Sequence, residues 1–260
     1  MFHWLKVHRR KKLVAEPLPD DWAAAIHRNV RLFRTLTHEE QMRVCDYVKV
    51  FAAEKNWEGC NGLTITDEIR ATIAAHVGIL TLGLPNEYFD HVLSVLVYPE
   101  TYVAEHAHSV AGGIVEEGDS ARLGEAWYRG PVILAWSDVL IEGRGERPGR
   151  NVTLHEFAHQ LDMLNGRDAD GTPPLETSEQ DRRWVEVLER RYRELVEQCR
   201  DGRRSVLDGY GATNRAEFFA VATELFFERP EVLKRSLEDL YGLLREYYRQ
   251  DPAIRDGARG

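Results

Sequence analysis

Val152-Thr153-Leu154-His155-Glu156-Phe157-Ala158-His159-Gln160-Leu161 contains the pattern His-Glu-x-x-His, and whether it is helix or loop decides the fold. On a helix, residues four apart sit about 40° apart in azimuth and one turn along the axis, so His155 and His159 can reach one metal ion. Glu156 then projects about 100° from His155, off the ligand line but near the metal's water, where a general base belongs. The stretch favours helix: Val152, Leu154, Phe157, Ala158 and Leu161 are apolar, no proline intervenes, and Asn165-Gly166 offers a C-terminal stop. The alternative is a solvated helix with two surface histidines and a glutamate. Phe157, Ala158, Gln160 and Leu161 carry no charge, however, and a buried His-Glu-His set incurs a desolvation cost that a metal offsets.

A catalytic zinc site needs a third protein ligand and an open position. The HExxHxxGxxH solution fails here, because Asp162 stands at its glycine position and Asn165 at its third histidine. The best candidate elsewhere is Glu217 in Ala216-Glu217-Phe218-Phe219-Ala220-Val221-Ala222-Thr223-Glu224-Leu225-Phe226-Phe227. This segment reads as a helix apolar around most of its girth, and a buried carboxylate calls for a cation or strong hydrogen bonds. Glu224, seven residues on and on the same face, is a candidate to orient a ligating imidazole. The competing reading makes Glu217 and Glu224 a narrow wet face. Asp162, three residues after His159, has a similar claim to support a ligand, or is a plain polar helix residue. Tyr210, between Gly209 and Gly211, is placed to donate its phenol to an oxyanion, or else marks a turn.

Outward from the motif, the first third reads helical. Pro19 to Thr35 spaces Trp22, Ile26, Val30 and Phe33 as a half-buried helix. Thr37-His38-Glu39-Glu40 is a capping-box pattern before a helix whose apolar side is Met42, Val44, Cys45, Tyr47, Val48 and Phe51. A third helix starts at Thr66 and runs toward Ala75. His91 to Tyr98 and Gly130 to Ile141 read as strands, with shorter candidates at Gly113 to Glu116 and Gly124 to Tyr128. From Asn151 the reading is helical again, broken by a polar loop at Asn165 to Pro174. The expected architecture is one α+β, zincin-like domain over residues 19–260, with a small mixed sheet, behind a basic, mobile segment at 1–18. The strand Val132 to Ile141 is placed to pair with an extended substrate, or is an interior strand.

The 260 residues, 43% hydrophobic and 30% charged, exclude disorder and fibres. A formal net charge of −9 argues against broad attraction to nucleic acid or anionic lipid. No signal peptide is readable after Arg9, Arg10, Lys11 and Lys12, and the apolar run at Ala74 to Leu82 is too short to span a bilayer. Three cysteines, Cys45, Cys60 and Cys199, share no metal-binding spacing and fit a reducing, cytoplasmic setting. His106 and His108 read as a solvent-exposed pair, and Asp168, Asp170 and Gly171 as a polar turn and not a calcium loop.

Together the motifs resemble the Mlc titration factor A family of zinc metallopeptidases, whose metal site is similar to that of the anthrax lethal factor group. The resemblance is carried by Arg147-Pro148-Gly149-Arg150-Asn151-Val152 leading into His155 to Met163, by Asn165-Gly166, Tyr210 and Ala216-Glu217, and by Glu224-Leu225-Phe226-Phe227. It extends to Trp22, Thr37 to Glu39 and Ile133-Leu134-Ala135-Trp136. It implies one zinc ion per chain held by His155, His159 and Glu217, with Glu156 as base and Tyr210 near the oxyanion. It further implies a cytosolic, aminopeptidase-type enzyme acting on short peptides. The family's protein partner is a transcriptional repressor of sugar uptake, which links it to glucose phosphotransferase regulation; no direct nucleic-acid contact and no membrane are expected. The alternative is a non-catalytic binding protein with a structural metal, against which the intact Glu156 speaks.

Overall fold

A computed structural model describes residues 2–84, 88–100, 130–165 and 169–257. The chain opens with helices α1 (Phe2–Ala15), α2 (Asp20–Asn29) and α3 (His38–Glu54), then strand β1 (Asn56–Gly59) and helix α4 (Asp67–Leu80). Strands β2 (Ser94–Tyr98) and β3 (Val132–Ala135) follow, then helices α5 (Trp136–Gly143) and α6 (Val152–Asp162). The remainder is helical: α7 (Ser178–Arg200), α8 (Arg215–Glu228), α9 (Pro230–Ser236), α10 (Glu238–Tyr248) and α11 (Pro252–Gly257). It is a single α+β domain whose small sheet supports one edge of a helical body.

The three strands run parallel in the order β1-β2-β3. Register pairs Val95 with Val132 and Val97 with Leu134, and all four are buried, so the alternate residues of β2 and β3 point into one core. The mixed character expected of the sheet depends on the candidates at Gly113 to Glu116 and Gly124 to Tyr128, which lie outside the described residues. Helix α6 packs between α4 and α8 and touches β3. Phe157 ties the same helix to other parts of the core: its ring meets Phe51 of α3 at 5.6 Å and Phe89, in the segment before β2, at 5.0 Å, both edge-on.

The capping signals hold. Thr37 and Glu40 exchange both capping-box bonds at the head of α3, and Thr66 Oγ1 accepts from Ile69 N at the head of α4. Other expectations are corrected. The helix read over Pro19 to Thr35 stops at Asn29, and Arg31–Thr35 form a 3-10 turn. Ile26, Val30 and Phe33 are buried as the stripe requires, but Arg31 reaches the Glu228 carboxylate (2.6 Å) and backbone carbonyl (3.1 Å), a distant anchor that redirects the chain. Met42 is 52% exposed; two residues before Val44, it points some 200° away from it. The strand read over Gly130 to Ile141 ends at Ala135. Val139, Glu142 and Gly143 of α5 are buried at helical spacing, and the β-rich composition of the run did not show that change of period. Strand β1 is polar and only four residues long, so it carries no apolar strand signal. The basic segment forms α1, which packs on α3. No helix among the described residues is long and apolar enough to cross a membrane.

Candidate metal centre

Helix α6 begins at Asn151, whose Oδ1 accepts from Leu154 N at 3.2 Å. This cap is only 1% exposed and is held on every side. Its backbone N donates to Glu224 Oε1 (2.8 Å), and its Nδ2 donates to Glu228 Oε1 (2.9 Å) and lies 3.2 Å from His76 Nδ1. Val152 N donates to Glu142 Oε2 at 2.7 Å. Three carboxylates thus gather at the positive end of α6, the end where anions are favoured and orphan N–H groups need acceptors. Burial pushes the Glu142 carboxyl up to about 7, with Glu224 adding to the effect against the bond from Val152. His76 is fully enclosed; burial, helped by Arg31, drives it down to about 3, so it stays neutral. Gly143 permits this packing, because a Cβ there would lie 2.7 Å from His76 Nε2 and 2.6 Å from Asn29 O.

One turn along α6, His155, His159 and Glu217 bring one ligand atom each within 4.8 Å of one another. His155 Nε2 lies 3.0 Å from Glu217 Oε2 and 3.3 Å from His159 Nε2, and His159 Nε2 lies 3.5 Å from Glu217 Oε2. A tetrahedral zinc site with bonds of about 2.0–2.1 Å spaces its ligand atoms about 3.3 Å apart. The observed spacings fit that cage. Glu217 sits in the first turn of α8, where Asn214 caps its N–H at 2.9 Å. Glu224, two turns further along the same face, approaches the far side of the same imidazole, with Oε2 at 3.2 Å from His155 Nδ1. The His155 ring is therefore gripped between two carboxylates of one helix. With Nδ1–H donated to Glu224, Nε2 keeps a lone pair for a metal.

The electrostatics suit a cation. Burial opposes charge on His155, yet Glu217 and Glu224 outweigh it and raise the imidazole well above its ordinary value. Burial likewise opposes the Glu217 anion, but the bonds from His155 and His159 hold it down at about 2. Glu156 behaves differently. Its Oε1 is enclosed without a hydrogen-bond partner among the described residues, and burial, with Glu217 and Glu224 against His155, lifts it to about 8. A carboxyl so placed is suited to exchanging a proton near neutral pH.

Tyr210 lies in a 3-10 turn (Gly209–Ala212), its ring centroid 6.1 Å from that of His155. Asp208 holds the turn: Oδ1 accepts from Tyr210 N at 2.9 Å, while Oδ2 pairs with Arg150, next to the α6 cap. Asp162 is fully buried and its Oδ2 accepts from Gly171 N at 2.7 Å, so its bond goes to the loop before α7. Gly171, at φ +83°, allows that loop to press on Arg215 O, and its carbonyl accepts from the Trp184 indole at 2.8 Å. Asp170 accepts from Thr172 N in a turn; His106, His108 and Asp168 lie outside the described residues. Sequence reading missed Asn151, Glu142, Glu228, Arg31, His76 and the Arg150–Asp208 pair. Asn151 carried a readable signal, an asparagine directly before an apolar helix, whereas the others act across long separations in sequence.

The chain matches the family described as glucose-regulated metallo-peptidase M90 over residues 4–249. An uncharacterized protein of Synechocystis is 37% identical over 253 residues, covering 97% of this chain and 91% of the relative. The Mlc titration factor A proteins of Yersinia pestis and Yersinia pseudotuberculosis are each 31% identical over 261 residues, covering 98% of this chain and 92% of theirs. Likeness along nearly the whole chain, with converging His155, His159 and Glu217, makes this protein a member of the glucose-regulated metallo-peptidase M90 family.

Proposed function

We propose that the protein is a zinc-dependent peptidase of aminopeptidase type. The observation that carries this reading is the convergence of His155, His159 and Glu217 at tetrahedral spacing beside the enclosed Glu156 carboxyl. Two imidazoles and one carboxylate are the ligand set of catalytic zinc, and a purely structural site has no use for Glu156. Bound there, zinc supplies Lewis acidity toward a carbonyl oxygen and toward water. Glu156 accepts the proton of the attacking water and delivers it to the departing amine. Tyr210 donates its phenol to the carbonyl oxygen as that oxygen gains charge. Glu224 fixes the tautomer and direction of His155. The aminopeptidase assignment and the preference for short peptides rest on the family resemblance. The same resemblance, with the name borne by the Yersinia relatives, supports contact with a repressor of sugar uptake through protein surfaces in the cytoplasm.

Glu156→Gln tests the reading: cleavage of a peptide library should fall at least about a hundredfold while zinc content stays at one per chain. Undiminished cleavage would refute the base, and chelator-resistant cleavage would refute the metal. Repressor binding that survives Glu156→Gln would place the regulatory contact apart from catalysis.

A further inference from the structure

We propose that the outward face of α1 is a docking surface for an anionic lipid bilayer. The net charge of −9 conceals a local separation, for α1 has five Lys and Arg residues and no acid between Phe2 and Ala15. Its inner face is neutralised: Lys6 pairs with Asp90 at 2.7 Å, and Arg10 with Glu54 at 2.6 Å and with Asp90 at 2.5 Å. The outer face is not. Lys11 and Lys12 are exposed and make no ion pair among the described residues, and exposed Arg9 reaches only the Ala53 carbonyl, at 3.4 Å. At 100° per residue, Trp4, Lys11 and Lys12 fall within about 100° of azimuth, flanked by Val7 on one side and by Leu5 and Arg9 on the other.

The apolar members of that face are its second mark. Trp4 is 68% exposed, Leu5 52% and Val7 37%, while Leu93, which lines the same shallow groove as Leu5 and Arg9, is 58% exposed. Three of the nine exposed large hydrophobic side chains among the described residues are thus gathered at the tryptophan end of one helix, and Leu93 borders them from a groove that also holds Lys6, Glu54 and Asp90. Cations beside tryptophan and aliphatic side chains complement a bilayer surface, where headgroups take the charge and the interface takes the apolar groups. A nucleic acid fits less well. The Trp4 ring is already stacked on His8 (5.7 Å, 15° between planes), and Leu5, Val7 and Leu93 offer nothing to phosphate or base. A purely acidic peptide would leave the same aliphatic groups unused.

The test is co-sedimentation of the full chain with phosphatidylcholine vesicles, with or without a minority of phosphatidylglycerol. Binding should require phosphatidylglycerol and weaken with salt. The double change Lys11→Glu and Lys12→Glu should lower the partition coefficient at least about tenfold. The same charge change elsewhere, Arg193→Glu with Arg200→Glu, should leave it unaltered. Trp4→Ala with Leu5→Ala should weaken binding at constant charge. The proposal is overturned if phosphatidylglycerol makes no difference, if the α1 and control charge variants bind alike, or if a single-stranded oligonucleotide or polyglutamate binds the face in preference to vesicles.

Discussion

Glu224 touches no substrate in the proposed reaction, yet it holds one side of the His155 imidazole while Nε2 on the other side, 3.0 Å from Glu217, would be left to take a metal. Glu224→Gln should lower zinc affinity about 10- to 100-fold, measured against a competing chelator, because a neutral amide aligns and polarises the ring less well. Glu217→Ala should abolish stoichiometric zinc outright, and unchanged zinc content would refute its place in the site. In the proposed reaction Tyr210 acts on the transition state. Tyr210→Phe should reduce kcat by about 10- to 1000-fold with little change in KM, the pattern of a bond made only as charge develops. Because Asp208 joins that turn to Arg150, Arg150→Ala should reproduce part of the kcat loss with zinc affinity unchanged.

At the scale of elements, α6 is held at its head by Asn151 and at its tail by Asp162. Asn151→Ala removes a cap and leaves Glu228 without one buried donor, a loss of about 2–4 kcal/mol readable by urea unfolding. Asp162 gives a pH signature. Burial lifts its carboxyl from the ordinary 3.8 to about 7 in the fold, so the protonated form is the one favoured there. Its contribution to stability is complete below the ordinary value and is lost as pH rises through about 7. With the metal removed, wild type should therefore lose stability relative to Asp162→Asn between pH 4 and 8, as measured by paired melting curves; a constant difference would contradict this. The elements differ in how legible they were. The heads of α3 and α4 announced themselves because Thr37 and Thr66 bond to neighbours three residues away. The convergence of His155, His159 and Glu217 was legible in part: helical spacing sets His155 against His159, and a carboxylate at Glu217 in so apolar a helix called for a partner unless it lay on a narrow wet face. The end of α2 and the turn from β3 into α5 were not: Arg31 answers to Glu228, 197 residues away, and the run from Val132 to Ile141 is uniformly rich in β-forming residues although its period changes at Trp136.

For the whole molecule, a metal held by His155, His159 and Glu217 would join segments far apart in the chain, α6 and the head of α8. A ligand that binds only the folded state stabilises it by mass action, so chelation should lower the melting temperature, and added zinc should restore it in a concentration-dependent way. Glu217→Ala should melt at the same temperature with and without chelator. Charge is likewise a whole-molecule property: the acids at the head of α6 and the cations on α1 act locally, and their sum describes neither.

Helix α8 is buried at every residue from Ala216 to Glu228, an unusual enclosure for a helix with three glutamates. Its amide protons are enclosed along that whole length, so their exchange with deuterium should wait for opening of the entire domain, which puts α8, with α4, among the slowest-labelling of the described segments. Glu217 lies inside that segment. Deuterium uptake there should therefore slow with added zinc by the full factor of its binding, turning an isotope-labelling measurement on one helix into a gauge of metal occupancy that needs no substrate.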